Sequence, residues 1–157
     1  MSADLSALIN FSPIIAEDFE ELVDLRILAM RESLERVGRF NPERARERLK
    51  NSFYPEHSKF IVFDGRKIGF YTFRFSEETF HLDHLYIHPD CQGLGIGSFV
   101  MKNLISTHEA QRKPIHLNAL KESASNRFYQ RHGFQRLSED EWDIYYERPV
   151  GIIEIQP

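Results

Sequence analysis

A single cysteine, Cys91, excludes an internal disulfide and any metal site built from a cysteine cluster. No apolar run approaches the length needed to cross a bilayer. The opening residues, MSADLSALIN, lack the basic start and apolar stretch of a secretory leader, so a cytoplasmic setting is expected. Neither sign of charge dominates: 20 Lys and Arg stand against 24 Asp and Glu, a formal charge of −4. That balance argues against general binding to nucleic acid or to an anionic membrane surface, and it agrees with a cationic acceptor. Repeats, linkers and low-complexity tracts are also missing. The 157 residues, 41% hydrophobic and 28% charged, are therefore expected to form one soluble domain, 1–157, with an adequate core.

What is present is a glycine-rich turn. In LYIHPDCQGLGIGS, residues 85–98, apolar Leu85 and Ile87 close a strand that Pro89 and Asp90 break. Gln92, Gly93, Leu94, Gly95, Ile96 and Gly97 then lead into residues 98–108, where Phe99, Val100, Leu104 and Ile105 fit a helix. A strand, a glycine turn and a helix opening together make an anion site. Amides at a helix start point outward, the helix dipole favours negative charge there, and glycines let a phosphate approach the backbone. The competing reading is a turn that merely needs small residues. Three glycines in five residues at this place favour the phosphate.

Two nucleotide motifs fail against this turn. A P-loop needs Gly-Lys-Ser/Thr, and no lysine lies here; the dinucleotide fingerprint G-x-G-x-x-G is not the G-x-G-x-G of Gly93, Gly95 and Gly97. The turn instead resembles the Q/R-x-x-G-x-G/A motif of the GNAT family of N-acetyltransferases, with Gln92, Gly95 and Gly97 at its fixed positions. A later family signature is similar to Phe128-Tyr129 followed by Gly133-Phe134. The resemblance spans roughly residues 60–149.

Taken in order, the chain reads as a marginal strand at 9–15 and a helix at 17–31. A second helix at 43–51 follows an Asn41 cap and Pro42. Strands at 59–63 and 67–75 flank Asp64-Gly65, a strong hairpin signal, and a third strand runs over 79–88. The helix at 98–111 connects this strand to another at 115–120, as a parallel crossover would. A short helix at 123–132, capped by Ser123 or Ser125 and stopped by Gly133, precedes strands at 134–137 and 142–148; GIIEI in the tail could pair with an edge. Phe80 and Leu82 occupy even positions, but Leu85 and Ile87 odd ones. Either a β-bulge near Asp83-His84 absorbs the slip or the strand is buried on both faces.

The order matches the GNAT fold element by element. The resemblance implies an α+β (α/β) acyl-CoA N-acyltransferase fold. Its mixed, mostly antiparallel sheet would have about six to seven strands, flanked by about four helices, with the fourth and fifth strands splayed apart. It further implies acetyl-CoA as co-substrate, with Gln92, Gly93, Leu94, Gly95, Ile96, Gly97 and Ser98 on the pyrophosphate. Leu85, Tyr86 and Ile87 would meet the pantetheine and acyl parts through their backbone, where an amide would stabilise the oxyanion. Many relatives carry an asparagine where this chain has Glu122 and Ser123; Ser123 and Asn126 could replace its contact with pantetheine. Arg127 and Arg131 could meet the 3′-phosphate, and Arg39 and Phe40 the acceptor.

Acetyl transfer to an amine needs a neutral nucleophile, donors for the oxyanion and a proton for the departing thiolate. Tyr129 matches the family tyrosine that supplies that proton; a phenol near ~10 and a thiol near ~8.5 are close enough for this. His84 sits where relatives often carry a base, with His81, Asp83 and water as competitors, and His116 and Asn118 share a face of the next strand. No metal is expected: His81 points opposite to His84 and His88 on an extended strand, unless a bulge intervenes. The resemblance thus implies an N-acetyltransferase that passes acetyl to a primary amine of a small molecule, amino acid or peptide by direct attack in a ternary complex. A noncatalytic acyl-CoA-binding module on the same fold is the alternative. Dimerisation is common in the family.

Overall fold

The computed structural model describes residues 4–151, so a tail strand in GIIEI lies outside the described residues. Its elements are α1 (Leu5–Leu8), β1 (Ile9–Pro13), α2 (Phe19–Arg36), α3 (Pro42–Asn51), β2 (Ser58–Phe63), β3 (Arg66–Phe75) and β4 (Phe80–Ile87). They continue as α4 (Ile96–Gln111), β5 (Ile115–Leu120), α5 (Ser125–Arg131), β6 (Gln135–Glu139) and β7 (Asp143–Arg148). The strands form one sheet in the order β1-β2-β3-β4-β5-β7-β6. β4 and β5 run parallel, pairing Phe80 with Ile115 and His81 with His116, and α4 is the crossover between them. The pairs β1–β2, β2–β3, β5–β7 and β6–β7 are antiparallel. This is the mixed, mostly antiparallel α+β architecture expected.

Local chemistry explains most boundaries. Asn41 caps α3, its side chain accepting the Arg44 amide at 3.1 Å, with Pro42 in the first turn. Asp64 and Gly65 take φ of 50° and 82°, as a tight hairpin between β2 and β3 requires. Gly133, at φ 88°, ends α5. No serine caps that helix: Ala124 occupies the cap position, and the helix begins two residues later than expected. α1 is an addition, too short for any periodicity to announce; Asp4 caps it by accepting the Ser6 amide at 3.0 Å.

The chain divides into two compact units. Of the described residues, the first comprises 4–72 and 84–100. Its core gathers Ile14, Leu22, Val23, Leu25, Leu49, Phe60 and Phe70, with Phe19, Phe53 and Tyr86 packed against them. Each fully buried large side chain here contributes on the order of 1.5–3 kcal/mol. β3 carries a bulge: Ile61 faces Gly69 but Val62 faces Lys67, leaving Ile68 as the extra residue. Of the described residues, the second unit comprises 73–83 and 101–151. Phe80, Leu82, Met101, Leu104, Ile115, Leu117, Phe134 and Tyr146 are buried in it. Phe73 stacks on Phe80 with ring centroids 4.7 Å apart.

Burial along β4 resolves the phase slip. Phe80, Leu82 and His84 are buried while His81, Asp83 and Leu85 are half-buried, and Tyr86 continues the even phase onto the first core. His84 and Tyr86 fill slots where the pattern leads one to look for aliphatic residues. One face runs unbroken through Asp83-His84, and its alternation in burial requires no change of phase there.

Candidate active site

Two left-handed glycines shape the loop after β4. A short 3-10 turn, Pro89–Cys91, ends the strand, with His88 accepting the Asp90 amide at 3.1 Å. Gly93 and Gly95 then adopt φ of 81° and 85°, which residues with a Cβ rarely take. Phe99 N–H donates to Gly95 C=O at 3.0 Å, the first helical bond of α4, so the amides of Ile96, Gly97 and Ser98 precede the helix's own ladder. Gln92, Gly93, Leu94 and Gly95 are exposed, and a Cβ placed on Gly93 would meet nothing within 4 Å. Gln92 turns its side chain back, its Nε2 donating to Ile87 O at 2.9 Å, so it offers the loop its main chain.

The end of β4 has two main-chain edges. His88 N–H donates to Ile68 O at 2.6 Å, and Tyr86 O lies only 2.0 Å from where a Cβ on Gly69 would stand. Even-numbered main-chain groups therefore face β3, and those of Leu85 and Ile87 face the opposite edge. Only glycine at position 69 permits this close approach.

The side chains of the same segment form a buried polar chain. His84 is 6% exposed. Its Nε2 lies 2.9 Å from Ser52 Oγ and 3.3 Å from Ser52 O, and its Nδ1 lies 3.0 Å from the Tyr86 hydroxyl. Arg26, also buried, donates from Nε to Tyr86 Oη at 3.1 Å and from a terminal nitrogen to Ala45 O at 2.8 Å. Phe40, expected between the helices, carries the Arg31 guanidinium 4.8 Å from its ring centroid.

In the second unit, Tyr129 is 8% exposed, among Phe128, Phe134 and Tyr146 at ring separations of 5.5, 5.7 and 6.3 Å. Asn126 braces the turn after β5: Nδ2 donates to Leu120 O at 2.8 Å and Ser123 O at 3.0 Å, while Oδ1 accepts from Tyr146 at 2.8 Å. Ser123 Oγ pairs with Ser125 Oγ at 2.5 Å. The competing bases sit together here. His81 and His116 meet edge to face at 6.0 Å, His116 Nε2 lies 2.7 Å from Glu147, and Arg74 grips Asp83 with two bonds. Burial first, then Arg74, hold His81 below its ordinary value of 6.5 against the pull of Asp83. Among the described residues, no group of three or more His, Cys, Asp or Glu is placed to hold a metal ion. Nor, among them, is any helix long and apolar enough to cross a membrane.

The family model of the acetyltransferase (GNAT) domain matches residues 56–136, more than half of the chain. The chain belongs to the GNAT acetyltransferase family. The match takes in β2 to α5 and with them the glycine loop, His84 and Tyr129. Solved GNAT-type structures share the fold at low identity. The PaiA N-acetyltransferase of Thermoplasma acidophilum, in complex with coenzyme A, aligns with TM-score 0.73 and 16% identity over 90% of this chain and 99% of that one. An acetyltransferase of Thermus thermophilus gives 0.71 and 16% over 91% and 97%. The ribosomal-protein-S18-alanine N-acetyltransferase of Escherichia coli gives 0.68 and 15% over 93% and 96%. No curated protein matches this chain by sequence.

Within this GNAT domain, the structure brings Leu85, Tyr86, Ile87, His84 and the loop together in the first unit. It brings Tyr129, Ser123 and Asn126 together in the second. Sequence reasoning missed Arg26, Ser52 and the side chain of Tyr86. Tyr86 carried a usable signal, the even spacing it shares with Leu82 and His84. Arg26, a charge within an amphipathic helix, carried none.

Proposed function

We propose that this protein transfers an acetyl group from acetyl-coenzyme A to a primary amine of a small molecule, amino acid or peptide, by direct attack in a ternary complex. The observation that carries the reading is the glycine loop opening onto α4, with Gly93 and Gly95 in left-handed conformations just ahead of the helix's first turn. The exposed cradle fits a diphosphate. Main-chain amides across residues 92–98 would hold it, and Leu85 and Ile87 would turn their outward main-chain groups to the pantetheine arm. One of those amides would stabilise the oxyanion. Ser123 and Asn126 are assigned to the same cofactor from the turn after β5. Tyr129 gives its proton to the departing thiolate, and His84 receives the proton that the amine loses.

Calorimetry with coenzyme A and acetyl-coenzyme A, followed by thiol release with a panel of primary amines, tests the reading. Binding with turnover on at least one amine supports it. Binding without turnover on any amine points to a noncatalytic acyl-CoA-binding module, and no binding overturns both.

A further inference from the structure

The buried chain around His84 has a direction set by its two ends. Arg26 is a donor only, so the Tyr86 oxygen accepts from it. At the far end Ser52 Oγ–H donates to Arg48 O at 2.9 Å, which leaves Ser52 Oγ to accept. His84 Nε2 faces that oxygen and the Ser52 carbonyl, an acceptor only, so Nε2 carries the ring hydrogen. Nδ1 is then the bare nitrogen and takes the hydroxyl hydrogen of Tyr86. This tautomer is assigned from its partners. Every donor in the sequence Arg26, Tyr86, His84, Ser52, Arg48 O points the same way.

We propose that Tyr86 is the residue that meets the acceptor amine, and that His84 receives the amine's proton through it; this rests on the acetyltransferase reading. His84 is sealed, whereas Tyr86 is half-buried and its oxygen has a second lone pair besides the one Arg26 uses. As the amine nitrogen bonds to the thioester carbonyl carbon, its surplus proton passes to Tyr86 Oη. The phenol's own proton passes in the same event to His84 Nδ1. One N–H and one O–H bond break, one O–H and one N–H form, and the positive charge moves from the substrate nitrogen to the imidazole. Tyr86 stays neutral throughout. The new imidazolium lies beside Ser52 at the carboxyl end of the ten-residue α3, where the helix dipole favours a cation.

Tyr86→Phe keeps the ring that packs on Phe70 and removes the relay oxygen. Its kcat is expected to fall about 100-fold on the best amine, or on water as default acceptor, with coenzyme A affinity unchanged. The wild-type rate in mixtures of light and heavy water should curve as two protons in flight require, and the variant's rate should be linear. Independently of any acceptor, nitrogen NMR of histidine-labelled wild type should show His84 protonated at Nε2 and bare at Nδ1. The opposite tautomer, or a Tyr86→Phe enzyme that binds coenzyme A and turns over like wild type, overturns the relay and leaves acetyl transfer standing. A wild type that binds no coenzyme A overturns the acetyltransferase reading instead.

Discussion

Each unit buries an arginine whose side chain is linked to a histidine ring, and the two links are wired differently. In the second unit Arg148, 2% exposed, contacts His108 directly: a guanidinium nitrogen lies 2.8 Å from Nε2, while Nδ1 faces Lys113 O. Arg148 also donates to His132 O at 2.8 Å and to Glu109 at 2.7 Å. Its histidine has a donor-only group on one nitrogen and an acceptor-only group on the other, so neither bond can reverse. In the first unit a phenol stands between arginine and histidine. A hydroxyl can give or accept, so that bond reverses when the imidazole takes the phenol's proton and the phenol takes another in its place. The same two residue types make a brace in one place and a conduit in the other.

The comparison breaks most sharply at its arginines. Arg148→Met takes a donor from His108, Glu109 and His132 O and should lower unfolding free energy by roughly 3–5 kcal/mol in denaturant titration. Arg26→Met should lower it by roughly 1–3 kcal/mol, since it takes a donor from Tyr86 Oη and Ala45 O, but should slow acetyl transfer far more. Equal stability losses with unaltered turnover in both would show that the distinction has no substance. Gly69→Ala drives a methyl into the Tyr86 carbonyl and should destabilise by roughly 1–3 kcal/mol. Because the obstacle is backbone, coenzyme A affinity should fall too; calorimetry on the folded fraction measures this.

Smaller effects sharpen the picture. Asn41→Ala removes the cap at the amino end of α3 and should cost about 1 kcal/mol. The hydrogen bond from Arg148 holds the Glu109 carboxyl below its ordinary value of 4.5. A carboxylate so depressed stabilises the fold above that value and loses its contribution as pH falls through the folded one. Denaturation midpoints should therefore drop below about pH 4.5 in wild type, and less steeply in Arg148→Met. Glu109 is one-third exposed, so this effect is the least of the set.

Much of this was legible in the sequence because short-range chemistry wrote it. Asn41-Pro42, Asp64-Gly65 and the glycine loop each specify a backbone conformation by residue type alone. The loop's turn was legible too, since glycine readily takes the left-handed conformations it uses. What escaped were long-range polar contacts. Arg26 meets Tyr86 across 60 positions and Arg148 meets His108 across 40, and nothing local distinguishes a buried arginine from a solvated one. Tyr86 was assigned only its backbone because a tyrosine between Leu85 and Ile87 reads as one more strand residue.

The two units are also not successive lengths of chain. The polypeptide passes from one to the other within β3 after Thr72, within β4 after Asp83 and within α4 after Val100. No single cut in the gene would release either half whole, and a truncation meant to isolate the glycine loop would carry away pieces of both. Neither half can therefore be exchanged as one continuous stretch of chain.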